Sequence, residues 1–169
     1  YKKGIRTPFI QSPIIEAHES CQYEIAKWMF DTYSSQIDLT QEFDGRGRIF
    51  DYLINKMDYG FIESILVSRS SDFNVNASET GGFGQSQGYL HQVIRQRDYS
   101  ELPDVNSNIY VSPINTVNAL LESGADINFQ DDSTLTPLMK AVQEAVQEGD
   151  NVGTMPMVEF LLKKGANPN

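Results

Sequence analysis

Few side chains in this sequence could carry out acid–base, nucleophilic or metal chemistry. The chain has two histidines, His18 and His91, and one cysteine, Cys21. A helix would place His18 and Cys21 on one face, but a Cys–His nucleophile also needs an orienting group and an oxyanion site. Structural zinc takes four Cys or His ligands, and the chain offers three. The sequence therefore predicts no catalytic residue, no metal and no cofactor, with Cys21 a small buried residue and His18 partly buried.

A glycine-rich segment at residues 82–88 (GFGQSQG) resembles a loose phosphate-binding loop. Such a loop follows a strand and opens a helix within a β-α-β unit. The preceding residues 73–76 (FNVN) have the character of a closing loop, so we interpret the glycines as a flexible segment between structural units. Residues 44–47 (DGRG) lack the spaced carboxylates of a calcium-binding EF-hand and predict a turn. No nucleotide or other small-molecule substrate is expected.

The charge balance indicates the class of partner. Asp and Glu number 23 against 13 Lys and Arg, which gives a net charge of −10. A net-negative protein repels phosphate backbones, which disfavours nucleic acid, and it attracts proteins that carry basic patches. The pairs Arg46/Arg48 and Arg95/Arg97 could make local anion contacts, although solvated surface is the simpler interpretation.

The sequence also bears on location. No segment reaches the ~18 consecutive apolar residues that span a bilayer, so no membrane insertion is predicted. A single cysteine fits a reducing compartment. These features predict an intracellular, cytoplasmic protein; the alternative is a secreted effector that acts in the cytosol of a host cell.

An internal repeat indicates which elements position these side chains. The phrase LLESGADIN at residues 120–128 returns as LLKKGANPN at residues 161–169, with the glycines 41 residues apart (165 − 124). Each glycine follows an apolar pattern of helical spacing and would end that helix in a left-handed turn. Thr136 and Pro137 predict the start of another helix, because Thr can cap free amides and Pro loses no bond there. The apolar positions at helical spacing are Val117, Leu120, Leu121, Leu138, Ala141, Val142, Ala145, Val158, Leu161 and Leu162.

This order of helix, turn, helix, glycine turn and loop resembles the ankyrin repeat, a unit of ~33 residues with a T-P-L-H-x-A signature. Residues 136–141 (TPLMKA) occupy the place of that signature, with Met139 where the family has His. The surplus length that follows is assigned to a widened helix–helix turn at residues 149–156. The Leu-His pair survives at residues 90–91, and the resemblance implies that His91 makes a structural hydrogen bond between loops.

Along the whole chain, the resemblance implies an all-α ankyrin-repeat solenoid of stacked helix-turn-helix units with projecting loops, spanning residues 1–169. Ile25, Trp28, Met29 and Phe30 form the apolar stripe of the second helix in the first unit, and we expect Trp28 to pack in the core between the first two units. The insertion at residues 98–113 could be a binding element, a surface loop folded back on the stack, or disordered. Because no polar capping helix follows the last repeat, we expect more chain after residue 169. The expected repeats lie at about residues 8–40, 44–77, 79–128 and 131–169, the first two degenerate.

Ankyrin repeats form a family of protein-binding scaffolds, so the resemblance implies a non-enzymatic protein–protein interaction module. Partners in that family bind the concave face of the first helices and the loop tips. The alternative is a substrate-docking or targeting arm of a larger multidomain enzyme, including a bacterial effector delivered to host cells. The residues expected to bind a partner are Arg46, Arg48, Arg95, Gln96, Phe129, Gln130, Asp131, Asp132, Gln143 and Glu144, with Glu19 and Lys56 as further first-helix candidates.

Overall fold

The computed structural model describes residues 11–42, 47–76, 88–95, 113–148 and 155–168, and these are helices joined by short turns and loops. The all-α fold predicted from the sequence is confirmed. None of the described helices is long and apolar enough to cross a membrane. The helices are α1 (Gln11–Glu19), α2 (Tyr23–Tyr33), α3 (Ile49–Asn55), α4 (Tyr59–Arg69), α5 (Tyr89–Arg95), α6 (Pro113–Glu122), α7 (Pro137–Glu148) and α8 (Met155–Lys163), with short 3-10 turns at Ser34–Gln36 and Ser70–Asp72.

The chain divides into two compact units, Tyr1–Tyr52 (unit 1) and Leu53–Asn169 (unit 2). In unit 1, α1 and α2 pack against each other. His18 of α1 is buried, and its Nδ1 lies 3.1 Å from the hydroxyl of Tyr52. His18 is therefore buried more completely than predicted. The apolar core of this helix pair includes Ile14, Ile15, Ala26 and Phe30.

The outer side of α2 departs from the prediction. Trp28 is 60% exposed, so the prediction that it packs in the core is wrong, and Ile25 of the same stripe is 48% exposed. Apolar residues at positions 25, 26, 28, 29 and 30 extend around more than half of the helix. The buried residues Ala26 and Phe30 mark the side of α2 that faces the core, and positions 25 and 28 lie on other sides of the helix.

In unit 2 the helices stack in two rows. α5 packs on α7 and α4 packs on α6, while α5 with α6 and α7 with α8 form pairs. First helices therefore contact first helices, and second helices contact second helices, as in stacked repeats. Thr116 of α6 is buried and donates its hydroxyl to Glu63 of α4 at 3.2 Å. Burial raises the pKa of Glu63, and this hydrogen bond opposes the rise.

Most of the predicted apolar stripes in unit 2 are confirmed. Leu120 and Leu161, at corresponding places in the doubled phrase, are both fully buried. Val142 and Leu162 are 44% and 46% exposed, so their predicted place in the core is wrong. The core of unit 2 includes Leu53, Ile54, Phe61, Ile62, Ile65, Leu66, Tyr89, Leu90, Val93, Ile94, Val117, Leu120, Leu138, Ala141, Met157 and Leu161.

Four helices end in the same left-handed turn. At Gly124 and Gly165, φ is +93°, and the amides of the glycine and of the following alanine bond back to the helix as in a Schellman motif. The predicted glycine turns are thus confirmed. Cys21 after α1 and Met57 after α3 make the same bonds at φ of 59° and 57°, where a Cβ costs free energy. This turn leaves Cys21 exposed, so its predicted burial is wrong.

The loops that follow the second helices also repeat one another. Within unit 2 they are joined by a ladder of side-chain hydrogen bonds. The side-chain oxygen of Asn76 accepts the amide of Asp126, and that of Asn128 accepts the amide of Asn167 at 2.8 Å. Each loop is shaped by an Asx turn, in which a side chain accepts the amide two residues on at 2.9 Å; the acceptors are Asp38, Asn74 and Asp126.

Candidate functional site

The predicted binding residues at positions 129–144 lie on α7 and on the loop before it. The predicted helix start is confirmed, because the hydroxyl of Thr136 accepts the amide of Met139 at 3.2 Å and Pro137 opens the helix. The loop ahead of it is closed by backbone bonds from Asp131 to Leu135 and from Thr134 to Asp131. The site therefore combines a capped helix with a structured loop.

Asp131 shapes this loop from inside. Its Oδ1 accepts the amides of Ser133 and Leu135 at 2.9 and 3.0 Å. Thr134 adopts φ of 62°, which these bonds hold in place. One carboxylate oxygen of Asp131, Oδ1, is thus bound to the backbone of its own loop, while the next residue, Asp132, is exposed.

His91 of α5 joins this loop to the preceding repeat. Its Nε2–H donates to the carbonyl of Leu135 at 2.7 Å, and its ring meets Phe129 edge-on at 6.2 Å. The structural hydrogen bond implied by the ankyrin resemblance is confirmed. Burial lowers the pKa of His91 below its ordinary value of 6.5; the hydrogen bond to Leu135 and the charge of Asp131 oppose that effect.

The last glycine of the glycine-rich segment is enclosed by its neighbours. A Cβ on Gly88 would lie 2.7 Å from the carbonyl oxygen of Asn76, 2.9 Å from Phe129 and 3.0 Å from His91 Nδ1. Glycine is required here by packing between loops. The other glycines of that segment, residues 82 and 84, lie outside the described residues.

The structure places the predicted binding residues in three different settings. Two of them, Arg48 and Glu144, are buried, at 5% and 1% exposure, which removes them from a surface that a partner could reach. Glu144 makes an ion pair with Lys140 at 2.7 Å, one helical turn away. Phe129 and Asp131 are half-buried. The exposed members are Arg95, Gln130, Asp132 and Gln143, with Glu19 and Lys56, while Arg46 and Gln96 lie outside the described residues.

An apolar stripe on α7 lies beside Gln143 and was not predicted. Met139 is 39% exposed, Val142 44% and Val146 76%, and their spacing places them on one side of the helix. Together with Gln143 these residues form what we call the α7 face. Met139 stands where α5 has His91, three residues after the start of each signature. That substitution, visible in the sequence, removes the imidazole N–H that His91 donates to the carbonyl of Leu135.

Among the described residues, the cysteine and the histidine closest to it in sequence lie in different settings. Cys21 is exposed, whereas His18 is buried between the rings of Tyr23 and Tyr52, with centroids at 4.9 and 5.4 Å. Among the described residues, no three His, Cys, Asp or Glu side chains lie close enough to hold a metal ion. Of the predicted insertion at residues 98–113, only Pro113 is described, and it opens α6; of the predicted widened turn at residues 149–156, residues 155 and 156 already belong to α8. The remaining residues of both segments lie outside the described ranges.

Comparison with known proteins agrees with the stacking geometry. Residues 135–169 match the family model for the ankyrin repeat, which covers the loop end, α7, α8 and the final glycine turn. Comparison with curated proteins gives no match. Ankyrin repeats typically occur in protein–protein interaction modules without catalytic function. Residues 135–169 are therefore similar to an ankyrin repeat both in sequence and in their pair of helices.

Proposed function

We propose that this chain is a non-enzymatic protein–protein interaction module that binds a partner protein through the α7 face and the adjoining loop tip, Gln130 and Asp132. The observation that supports this proposal is the exposed apolar stripe of Met139, Val142 and Val146 on the first helix of an ankyrin repeat. Exposed apolar side chains that form a contiguous patch mark interaction surfaces, whereas apolar side chains scattered singly over a surface do not.

The loop beside the α7 face is suited to recognition because it is already ordered. Asp131 accepts two loop amides, and His91 holds the carbonyl of Leu135. A preformed loop loses less conformational entropy when it binds than a flexible one does. Gln130 and Asp132 are exposed at its tip and would form part of a polar rim around an apolar centre.

The net charge of −10 favours encounter with a basic partner. Since long-range attraction is screened by salt, association with such a partner should slow as ionic strength rises. The apolar centre of the interface, by contrast, should mainly determine how slowly the complex dissociates.

A photo-crosslinking amino acid at position 143 tests the proposal directly. We expect a discrete adduct with one partner protein in lysate of the source cells, and loss of that adduct in the Val146→Asp variant. Position 67 on α4 is the matched control, because Val67 is 87% exposed but lies outside the α7 face. Equal adducts from positions 67 and 143, or an adduct that persists in Val146→Asp, would contradict the proposal.

A further inference from the structure

A second exposed apolar surface lies in unit 1, on α2. Ile25 and Trp28 are 48% and 60% exposed, and Met29 is half-buried beside them. Their i, i+3, i+4 spacing places the three side chains on one side of the helix. The ring of Trp28 meets Tyr33 edge-on at 6.5 Å, which extends the surface by another turn. We call Ile25, Trp28, Met29 and Tyr33 the α2 face.

Carboxylates border this face. Glu24 and Asp31 lie one helical turn before and after Trp28, at i−4 and i+3, and both are exposed. Asp31 also makes an exposed ion pair with Lys27 at 3.2 Å. Among the described residues of unit 1, the exposed carboxylates are Glu16, Glu19, Glu24, Asp31, Asp38 and Glu42.

We propose that the α2 face is a docking site for a basic amphipathic helix of a partner protein. The apolar side of that helix would cover Trp28 and Ile25, and its Lys or Arg residues would lie against Glu24 and Asp31. A linear stripe about two helical turns long fits the i, i+3, i+4, i+7 pattern of an amphipathic helix. Exposed Trp residues at the centre of such stripes commonly supply much of the binding energy.

The bordering charges favour this occupant over two others. A second copy of the chain would bring an identical acidic border against Glu24 and Asp31, so like charges would oppose each other. An anionic membrane surface would repel the same carboxylates. Of these three occupants, the basic helix is the one that complements both the apolar stripe and its acidic border.

Trp28 is the one tryptophan in the chain, so its fluorescence reports on this face. The experiment titrates the full chain with a synthetic helical peptide of about 18 residues, or five turns, with Leu on one side and Lys on the flanks. The matched control peptide carries Glu in place of Lys. We expect the Lys peptide to shift Trp28 emission to the blue saturably, with an affinity at least tenfold above that of the Glu peptide.

Variants distinguish peptide binding at the α2 face from nonspecific binding elsewhere on the protein. Ile25→Ser and Glu24→Lys should each weaken binding of the Lys peptide by roughly five- to tenfold, because each removes a contact of about 1 kcal/mol or more. Val67→Ser removes an exposed apolar side chain elsewhere and should leave the affinity unchanged.

Four outcomes would overturn the proposal: equal binding of both peptides, equal weakening by Val67→Ser, a blue shift that depends on protein concentration alone, or a shift on zwitterionic lipid vesicles without a response to peptide. The second-copy and membrane alternatives are tested by the last two. The crosslink at position 143 is independent of this titration, so either surface can fail without the other.

Discussion

The two second helices α2 and α4 follow one apolar pattern but differ in how much of it is covered. Counted from the left-handed turns at Cys21 and Met57, Ile25 corresponds to Phe61, since each lies four residues on. Phe61 is 3% exposed and Ile25 is 48% exposed. The helix pattern alone therefore does not determine burial, because burial also requires a neighbouring element on the same side.

The first helices α5 and α7 show the same contrast within unit 2. His91 and Ile94 of α5 are 1% and 5% exposed, while Met139 and Val142, at the corresponding positions of α7, are 39% and 44% exposed. α5 has α7 packed against it. The surfaces that we propose for binding are therefore made from positions that repeats otherwise use for stacking.

The largest expected effect comes from deleting matched side chains of the second helices. Phe61→Ala should lower the free energy of unfolding by about 3–5 kcal/mol, whereas Ile25→Ala should change it by about 1 kcal/mol or less, because an exposed side chain leaves no cavity. Urea denaturation at unchanged m-value measures both. Equal losses would show that the α2 face is covered in solution.

A matched pair on the first helices gives the next largest difference. Ile94→Ala should cost about 2–4 kcal/mol, and Val142→Ala only about 0.5 kcal/mol, because only the former removes a buried side chain. The same denaturation experiment applies. If Val142→Ala costs as much as Ile94→Ala, then α7 has a neighbour on its exposed side and the contrast with α5 disappears.

The free energy of unfolding should depend on pH through His91, which is buried on α5. Its folded-state pKa lies below 6.5, so the unfolded chain binds the proton more readily and stability falls as pH drops below 6.5. The slope should not exceed about 1.4 kcal/mol per pH unit for this single group. His91→Met, the residue type found at position 139, is the control: its stability should fall less between pH 7.5 and pH 5.5. An unchanged pH dependence in His91→Met would contradict the assignment.

The smallest effect concerns the turns that precede α2 and α4. Cys21→Gly and Met57→Gly should each stabilise the fold by about 0.5–1 kcal/mol, because glycine adopts positive φ without the Cβ cost. Thermal unfolding measures the gain, and Gly124→Ala is the converse control, expected to lose stability. A loss in Met57→Gly would mean that its side chain contributes contacts that outweigh the relieved strain.

Local sequence patterns predicted the repeated helices and turns, but they did not predict which apolar side chains are exposed. The glycine turns, the Thr136-Pro137 helix start and the His91 hydrogen bond followed from residue type and position, because each depends on the backbone nearby. Whether Trp28 or Val142 is buried depends on which element lies against it, and no local pattern carries that information. Glu144 was expected on the surface, yet it is buried against Lys140 because α7 turns that side inward.

Loop residues were misleading for a related reason. Asp131 is of a type that commonly contacts partners, but its Oδ1 accepts two amides of its own loop. An Asp followed two residues later by Ser-Thr is a turn signal as much as a binding signal. The repeat boundaries stay predictions, as do the binding residues named from sequence other than the buried Arg48 and Glu144.

The Asn ladder has a consequence for how the stack can be observed. The amides of Asp126 and Asn167 lie at exposed positions, yet each is bound to an Asn side chain of the preceding loop. Such amides exchange with solvent only when two loops separate. The hydrogen-exchange rates of these two amides therefore report, for each pair of neighbouring loops, whether the loops stay together while a partner binds.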